Sequence, residues 1–242
     1  MPILERLTEH YDSKYSASDF RSVKCIPIVA HPRDRYEMAV YLAAAGSGGS
    51  YLEIGAGNGA TLLTLENKFE RLVGTDLSPI RVHHLQLLFQ DHAKVQILQN
   101  NLEIDGLPYK DAEFDTVAII AVIEHLVDPI GALKEIYRVL KPNGRLILNT
   151  PNIAKWTRRL KLLAGYFPST ASLDEGLVCH DKKTPTDLHD EGHLHYFTFR
   201  SLRRLAIERV GFSRVETHGY GSWPICRIWP EMFSDLSVLI TK

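Results

Sequence analysis

Tyr51-Leu52-Glu53-Ile54-Gly55-Ala56-Gly57-Asn58-Gly59 is the stretch that decides the fold. A short β-patterned run, 51–54, leads into three glycines spaced two apart, and a helical pattern opens at Ala60 and runs to about residue 69. A strand that ends in close glycines lets a ligand approach the backbone, while the helix behind it offers unpaired N–H groups. A second strand, 72–75, runs up to Asp76, which lies 23 residues after Glu53.

Outward from this unit the alternation continues. Ser78 and Pro79 read as N-cap and first-turn residue of a helix to about residue 90, followed by a strand at 94–98. Residues 114–122 form a near-continuous apolar run, the pattern of a central strand buried on both faces. Asp128 and Pro129 start a helix with Leu133, Ile136, Tyr137 and Leu140 on one face. Pro142-Asn143-Gly144 turns the chain into a strand at 145–149. Such βα repetition specifies a parallel sheet in an α/β domain. The rhythm breaks over 151–195, then resumes with Thr198 as N-cap, a helix bearing Leu202, Leu205 and Ile207, Gly211 as its stop, and strands at 212–217 and 236–241.

Composition sets the outer limits. At 242 residues one or two domains are expected, and we read a single domain, 1–242, with an N-terminal helical cap at 1–45 and an insertion at 151–195 over the acceptor pocket. Lys and Arg total 28 against 29 Asp and Glu, and 45% of residues are apolar. That balance excludes a disordered chain and a basic protein built to coat nucleic acid. No apolar run approaches the roughly 18 residues of a membrane span. The opening residues carry charge too early for a secretory signal. Cys25, Cys179 and Cys226 are scattered, so the expectation is no disulfide framework, no cysteine zinc site and a cytoplasmic setting. Nothing in the sequence sets an oligomeric state.

The glycine spacing discriminates between cofactors. Dehydrogenases use GxGxxG, whereas this chain has Gly55-x-Gly57-x-Gly59 with Glu53 two places ahead. Together with Asp76, whose place in such folds is on ribose hydroxyls, this resembles motif I of the class I S-adenosylmethionine-dependent methyltransferases. Further matches follow in order. Asn101-Leu102-Glu103, Leu107-Pro108-Tyr109 and Phe114-Asp115 resemble the family's D-x-x, LPF and FD elements. Ala121 through Leu126 resembles its xVxEH strand end, and Leu140 through Arg145 its LKPGG turn. Asn149 through Asn152 resembles its PN exit. His193 through Thr198 with Gly211-Phe212 looks like a segment of a subgroup that includes ubiquinone-pathway and glycan-associated enzymes.

The resemblance implies a Rossmann-like seven-stranded, mostly parallel sheet with the last strand antiparallel and helices on both faces. It implies S-adenosyl-L-methionine as cofactor, held by Glu53, Gly55, Ala56, Gly57, Gly59, Asp76, Leu77, Asn101, Leu102 and Ala121. Asn101 stands where the family has an adenine-facing acid, and its carbonyl oxygen can serve instead. A hydroxyl acceptor needs its proton removed, which a histidine does near neutral pH. His125, after the fourth strand, is the leading base; the plainer reading is a residue that shapes the pocket. His193 and His195 face the same way if extended, and either one points into the pocket or both are solvated.

Some relatives bind a divalent ion through E-x-x-E-H, but Ala121 replaces the first acid. Only Glu124 and His125 remain, with distant His193, and no required metal is expected. Tyr11, Lys14, Tyr15, Arg33 and Arg35 read mainly as solvated faces, with the alternative of a lid or a clamp on the cofactor carboxylate. Lys155, Arg158, Arg159 and Lys161 also read as a solvated face, with an anionic acceptor as the alternative. The expected function is methyl transfer to a small-molecule hydroxyl, with no nucleic-acid partner. The competing readings are a non-catalytic cofactor-binding scaffold and, disfavoured by glycine spacing, a nicotinamide oxidoreductase.

Overall fold

The computed structural model describes residues 23–168, 170 and 193–242. Strands β1 (Ser50–Ile54), β2 (Arg71–Asp76), β3 (Val95–Gln99), β4 (Phe114–Ile120), β5 (Leu140–Thr150), β6 (Arg214–His218) and β7 (Leu236–Thr241) form one sheet in the order β3-β2-β1-β4-β5-β7-β6. The pairs among β1 to β5 are parallel, and β7 runs antiparallel to both β5 and β6. The order reverses between β1 and β4, the switch point where open α/β sheets bind ligands at the strands' carboxyl ends.

Both faces of the sheet are covered, and strand periodicity shows how. Leu52, Ile54, Val117 and Ile119 enter one core, while Tyr51, Ala118 and Ile120 enter the other. The first core is closed by α5 (Pro129–Val139) and α7 (Phe199–Arg204), the second by α1 (Arg35–Ala44), α2 (Ala60–Leu65) and α3 (Pro79–Leu88). Among the described residues the other α-helices are α4 (Leu102–Asp105), α6 (Trp156–Leu163), α8 (Ile225–Ile228) and α9 (Pro230–Phe233). Caps fall where the sequence places them: Ser78 accepts from the Arg81 amide, Asp128 from Gly131 and Thr198 from Ser201.

Several boundaries differ from expectation. The fourth strand stops at Ile120 rather than Val122 because Ala121 adopts φ 54°, a left-handed turn that throws the chain out of the sheet. Leu140 does not end α5 but starts β5, where it pairs with Phe114. The Pro142-Asn143-Gly144 turn lies inside this longer strand as an irregularity, with Asn143 at φ 63°. The helix after Thr198 passes into a π-helical turn, Leu205–Val210, before Gly211 ends it. No helix among the described residues is long and apolar enough to cross a membrane. Cys25 and Cys226 are free thiols; Cys179, Tyr11, Lys14 and Tyr15 lie outside the described residues. So do about half of the expected cap, 1–22, and much of the insertion, 171–192.

Candidate functional site

The carboxyl ends of β1, β2, β4 and β5 open onto a cleft of about 1020 Å³. At one end the glycine loop is held against β2: the amides of Gly55 and Ala56 both donate to the Thr75 carbonyl, at 2.8 and 2.9 Å. Gly55 (φ 74°) and Gly59 (φ 83°) need to be glycine twice over. A Cβ on Gly55 would sit 2.5 Å from Val122 Cγ2, and one on Gly59 2.7 Å from Leu85 Cδ2.

Asp76 closes β2 at the floor of this cradle. Its Oδ1 accepts from the Ser78 amide at 3.0 Å and its Oδ2 from the Gly57 amide at 3.1 Å, with Arg81 Nη1 3.9 Å away. Burial raises its pKa, and Arg81 and the amides oppose that shift. Glu53 is buried beside it with Oε2 lacking any hydrogen-bond partner. Burial, with the Asp76 charge adding to it, pushes the Glu53 carboxyl up to about 8. An orphaned buried carboxylate oxygen is costly without a partner, and a ligand ammonium supplies one. The backbone cradle and this carboxyl group both suit a nucleoside that carries an amino acid with a free ammonium.

Leu77, Leu102 and Ala121 line the same cleft. Asn101 lines it too, but its Oδ1 already accepts from the Glu103 amide at 3.1 Å as the N-cap of α4. One lone pair at most is left for an adenine amino group. The adjacent Asn100 was not singled out by sequence; its Nδ2 donates to the Gly106 carbonyl at 2.8 Å, and its buried Oδ1 has no partner. The only local hint was its place directly after β3.

The far end is assembled from distant segments. His125, in the 3-10 turn Ile123–His125, and His193 meet edge to face with ring centroids 4.6 Å apart. His193 Nδ1 lies 2.7 Å from Thr170 Oγ1. Glu124 is buried, accepts at Oε2 from Thr150 Oγ1 at 2.9 Å, and leaves Oε1 unpartnered. Burial raises its pKa; His193, Thr150 and Arg35 pull against that rise. One ligand atom from each of Glu124, His125 and His193 falls within 4.8 Å of the others, a grouping able to hold a metal ion.

His195 does not join this group. The amides of Leu194 and His195 both donate to the Glu124 carbonyl, at 2.8 and 3.1 Å. Segment 193–195 is therefore not a flat strand, and residues two apart do not share a face. His195 Nε2 instead lies 3.4 Å from the Val127 carbonyl, outside the cleft lining.

Three basic residues read as solvated, Arg35, Lys155 and Arg158, have other surroundings. Arg35 opens α1 and lines the cleft; burial works against its charge, but Tyr220, Tyr36, Asp235 and Glu124 together raise its pKa. Arg158 Nη1 lies 2.5 Å from Asp235 Oδ1, and Lys155 Nζ 3.3 Å from Asp235 Oδ2. Burial alone would lift the Asp235 pKa, yet these two cations hold it below the ordinary value. Arg33 is exposed, as expected.

Residues 52–148 match the family described as a methyltransferase domain. A tRNA U34 carboxymethyltransferase of Sulfurovum is 33% identical over 168 residues, 68% of this chain and 48% of that one. The ubiquinone biosynthesis O-methyltransferase of Xylella fastidiosa is 30% identical over 111 residues, 44% of this chain and 43% of that one. The chain thus spans less than half the length of these curated relatives. A solved structure from Methanococcus maripaludis, described as an S-adenosyl-L-methionine-dependent methyltransferase, superposes with a TM-score of 0.55 at 17% identity, over 99% of this chain and 91% of that one; it speaks to the fold. With the matched domain, the sheet order and the glycine cradle in agreement, the chain belongs to the class I S-adenosyl-L-methionine-dependent methyltransferases.

Proposed function

We propose that this protein methylates a hydroxyl of a small molecule seated at the far end of the cleft, with an imidazole of the His125–His193 pair as general base. The observation that carries this reading is the meeting of the two rings beside buried Glu124, just past the left-handed Ala121. Bound at the glycine loop, S-adenosyl-L-methionine supplies an electrophilic methyl on a sulfonium. Glu53, Gly55, Ala56, Gly57, Gly59, Asp76, Leu77, Asn101, Leu102 and Ala121 would hold it. The chain's own task is position and proton transfer. Thr170 fixes the His193 ring through Nδ1, an imidazole nitrogen takes the hydroxyl proton as the oxygen becomes nucleophilic, and Glu124 steadies the resulting imidazolium.

A small acceptor is supported by the near-neutral charge and the cleft, while a relative that acts on tRNA keeps nucleic acid as the alternative outcome. A cytoplasmic setting belongs to the same proposal, supported by the free thiols. Calorimetry with S-adenosyl-L-methionine and its demethylated product, S-adenosylhomocysteine, followed by an acceptor screen for S-adenosylhomocysteine release, tests the reading. Absence of cofactor binding ends it; tight binding with no turnover favours a non-catalytic scaffold.

The grouping of Glu124, His125 and His193 favours one second reading, a divalent ion that polarises the hydroxyl in place of a base. The primary reading requires no metal, so turnover that survives chelation supports it. Turnover abolished by chelator and restored by one ion transfers the role to the metal.

A further inference from the structure

Helix α6 buries none of its residues and leaves its apolar side chains exposed. Its cation Arg158 points inward to Asp235, whereas Trp156, Leu160 and Leu163, at i, i+4 and i+7, form one apolar stripe facing outward. Leu160 is 54% exposed and Leu163 85%. The patch continues across the surface through Phe233, whose ring lies 6.5 Å from Trp156 and 5.9 Å from Trp229. Ile228, on α8, is 82% exposed. All three tryptophans of the chain, Trp156, Trp223 and Trp229, are exposed and fall within α6 or the segment 223–229.

The charge around this patch is mostly basic, with exposed Glu231 between Trp229 and Phe233 as an acid at its edge. Residues 153–168 contain Lys155, Arg158, Arg159 and Lys161 and no acid, and residues 219–230 contain Arg227 and no acid, in a chain whose net charge is −1. Arg159 is exposed and Lys161 partly so. An outward stripe of Trp and Leu bordered by Lys and Arg is the arrangement that lies in the headgroup layer of an anionic bilayer.

We propose that α6 and the segment 223–229 form a docking face for an anionic lipid surface, with Trp156, Leu160, Leu163 and Ile228 entering the interface and Arg159 and Lys161 meeting lipid phosphates. This proposal stands apart from the methyl-transfer reading. Because Arg158 and Asp235 also line the cleft, docking would bring its far end toward the bilayer.

The test is flotation of the full chain with vesicles of phosphatidylcholine alone or mixed equally with phosphatidylglycerol. Binding to the mixed vesicles should exceed binding to the neutral ones by ~30-fold at low salt, at about fivefold per cation, and fall as salt rises. Tryptophan emission should shift to the blue in the same titration, since every tryptophan lies in or beside the patch. Leu160→Ser with Leu163→Ser should abolish flotation, and Arg159→Glu with Lys161→Glu should reduce it to the neutral-vesicle level. These side chains are outside the core, and unchanged circular dichroism and thermal midpoint check the fold. Absence of binding to mixed vesicles at low salt overturns the proposal, as does wild-type flotation by the double-serine variant. A dimer that dissociates in that variant, with no vesicle binding, assigns the face to a second copy of the chain instead.

Discussion

The two ends of the cleft are built on opposite electrostatic plans. At the glycine loop, Glu53 and Asp76 are buried together, and Arg81 stands 3.9 Å from Asp76. At the far end Arg35, Lys155 and Arg158 surround Asp235 and Glu124, and imidazoles from two segments meet. The first end suits a ligand that carries positive charge, and the second suits a ligand that must lose a proton or carries negative charge. The two ends also differ in construction. The cradle comes from one strand-loop-helix and the end of its neighbour, whereas the far end depends on contacts across more than 150 residues, as between Arg35 and Asp235.

The comparison can be broken most sharply at the histidines. His193→Ala should lower kcat by roughly 10²–10⁴-fold while His195→Ala stays near wild type, because only His193 lines the cleft. Equal losses, read from initial rates on an accepted substrate, would erase the distinction between them. Next in size, Asp235→Ala removes the buried anion that Arg158 and Lys155 share and should cost on the order of 3 kcal/mol by denaturant titration, leaving cofactor affinity largely intact. Asp76→Ala should do the reverse, weakening cofactor binding by about 1–3 kcal/mol in calorimetry.

Smaller still is a pH effect from Glu53. Burial holds its carboxyl protonated up to about 8, while the unfolded chain ionises it near the ordinary 4.5. Between those values the folded state carries the extra proton, so stability falls as pH rises, by about 1 kcal/mol per pH unit. Glu53→Gln should flatten that slope, as thermal midpoints across the window would show. A slope that persists in the variant would remove Glu53 as its source.

What the sequence made legible is what local pattern encodes. Glu53 through Gly59 and Asp76 sit within one βα unit and its neighbouring strand, and hydrophobic period plus glycine spacing suffices for them. His125 was legible as the residue after a buried strand. Arg35 and Asp235 were not, because each resembles a surface charge until the sheet brings α1 and the start of β7 together. Which of His193 and His195 enters the cleft was open for the same reason: the two-residue rule assumes an extended backbone, and the Glu124 carbonyl gathers two successive amides there. Asn100 escaped notice because its neighbour Asn101 matched the motif, while the unpartnered oxygen belongs to Asn100. The insertion of β7 between β5 and β6 is a long-range pairing that strand propensity alone does not order.

The missing Cβ of Gly55 and the methyl of Val122 occupy one space, 67 positions apart in the chain. Their side-chain volumes are therefore coupled. Trimming Val122 to alanine would clear the collision created by Gly55→Ala, yet the φ of 74° would remain as a residual burden of about 1–2 kcal/mol. A library that randomises both sites together should recover epistatic pairs that neither single scan reveals.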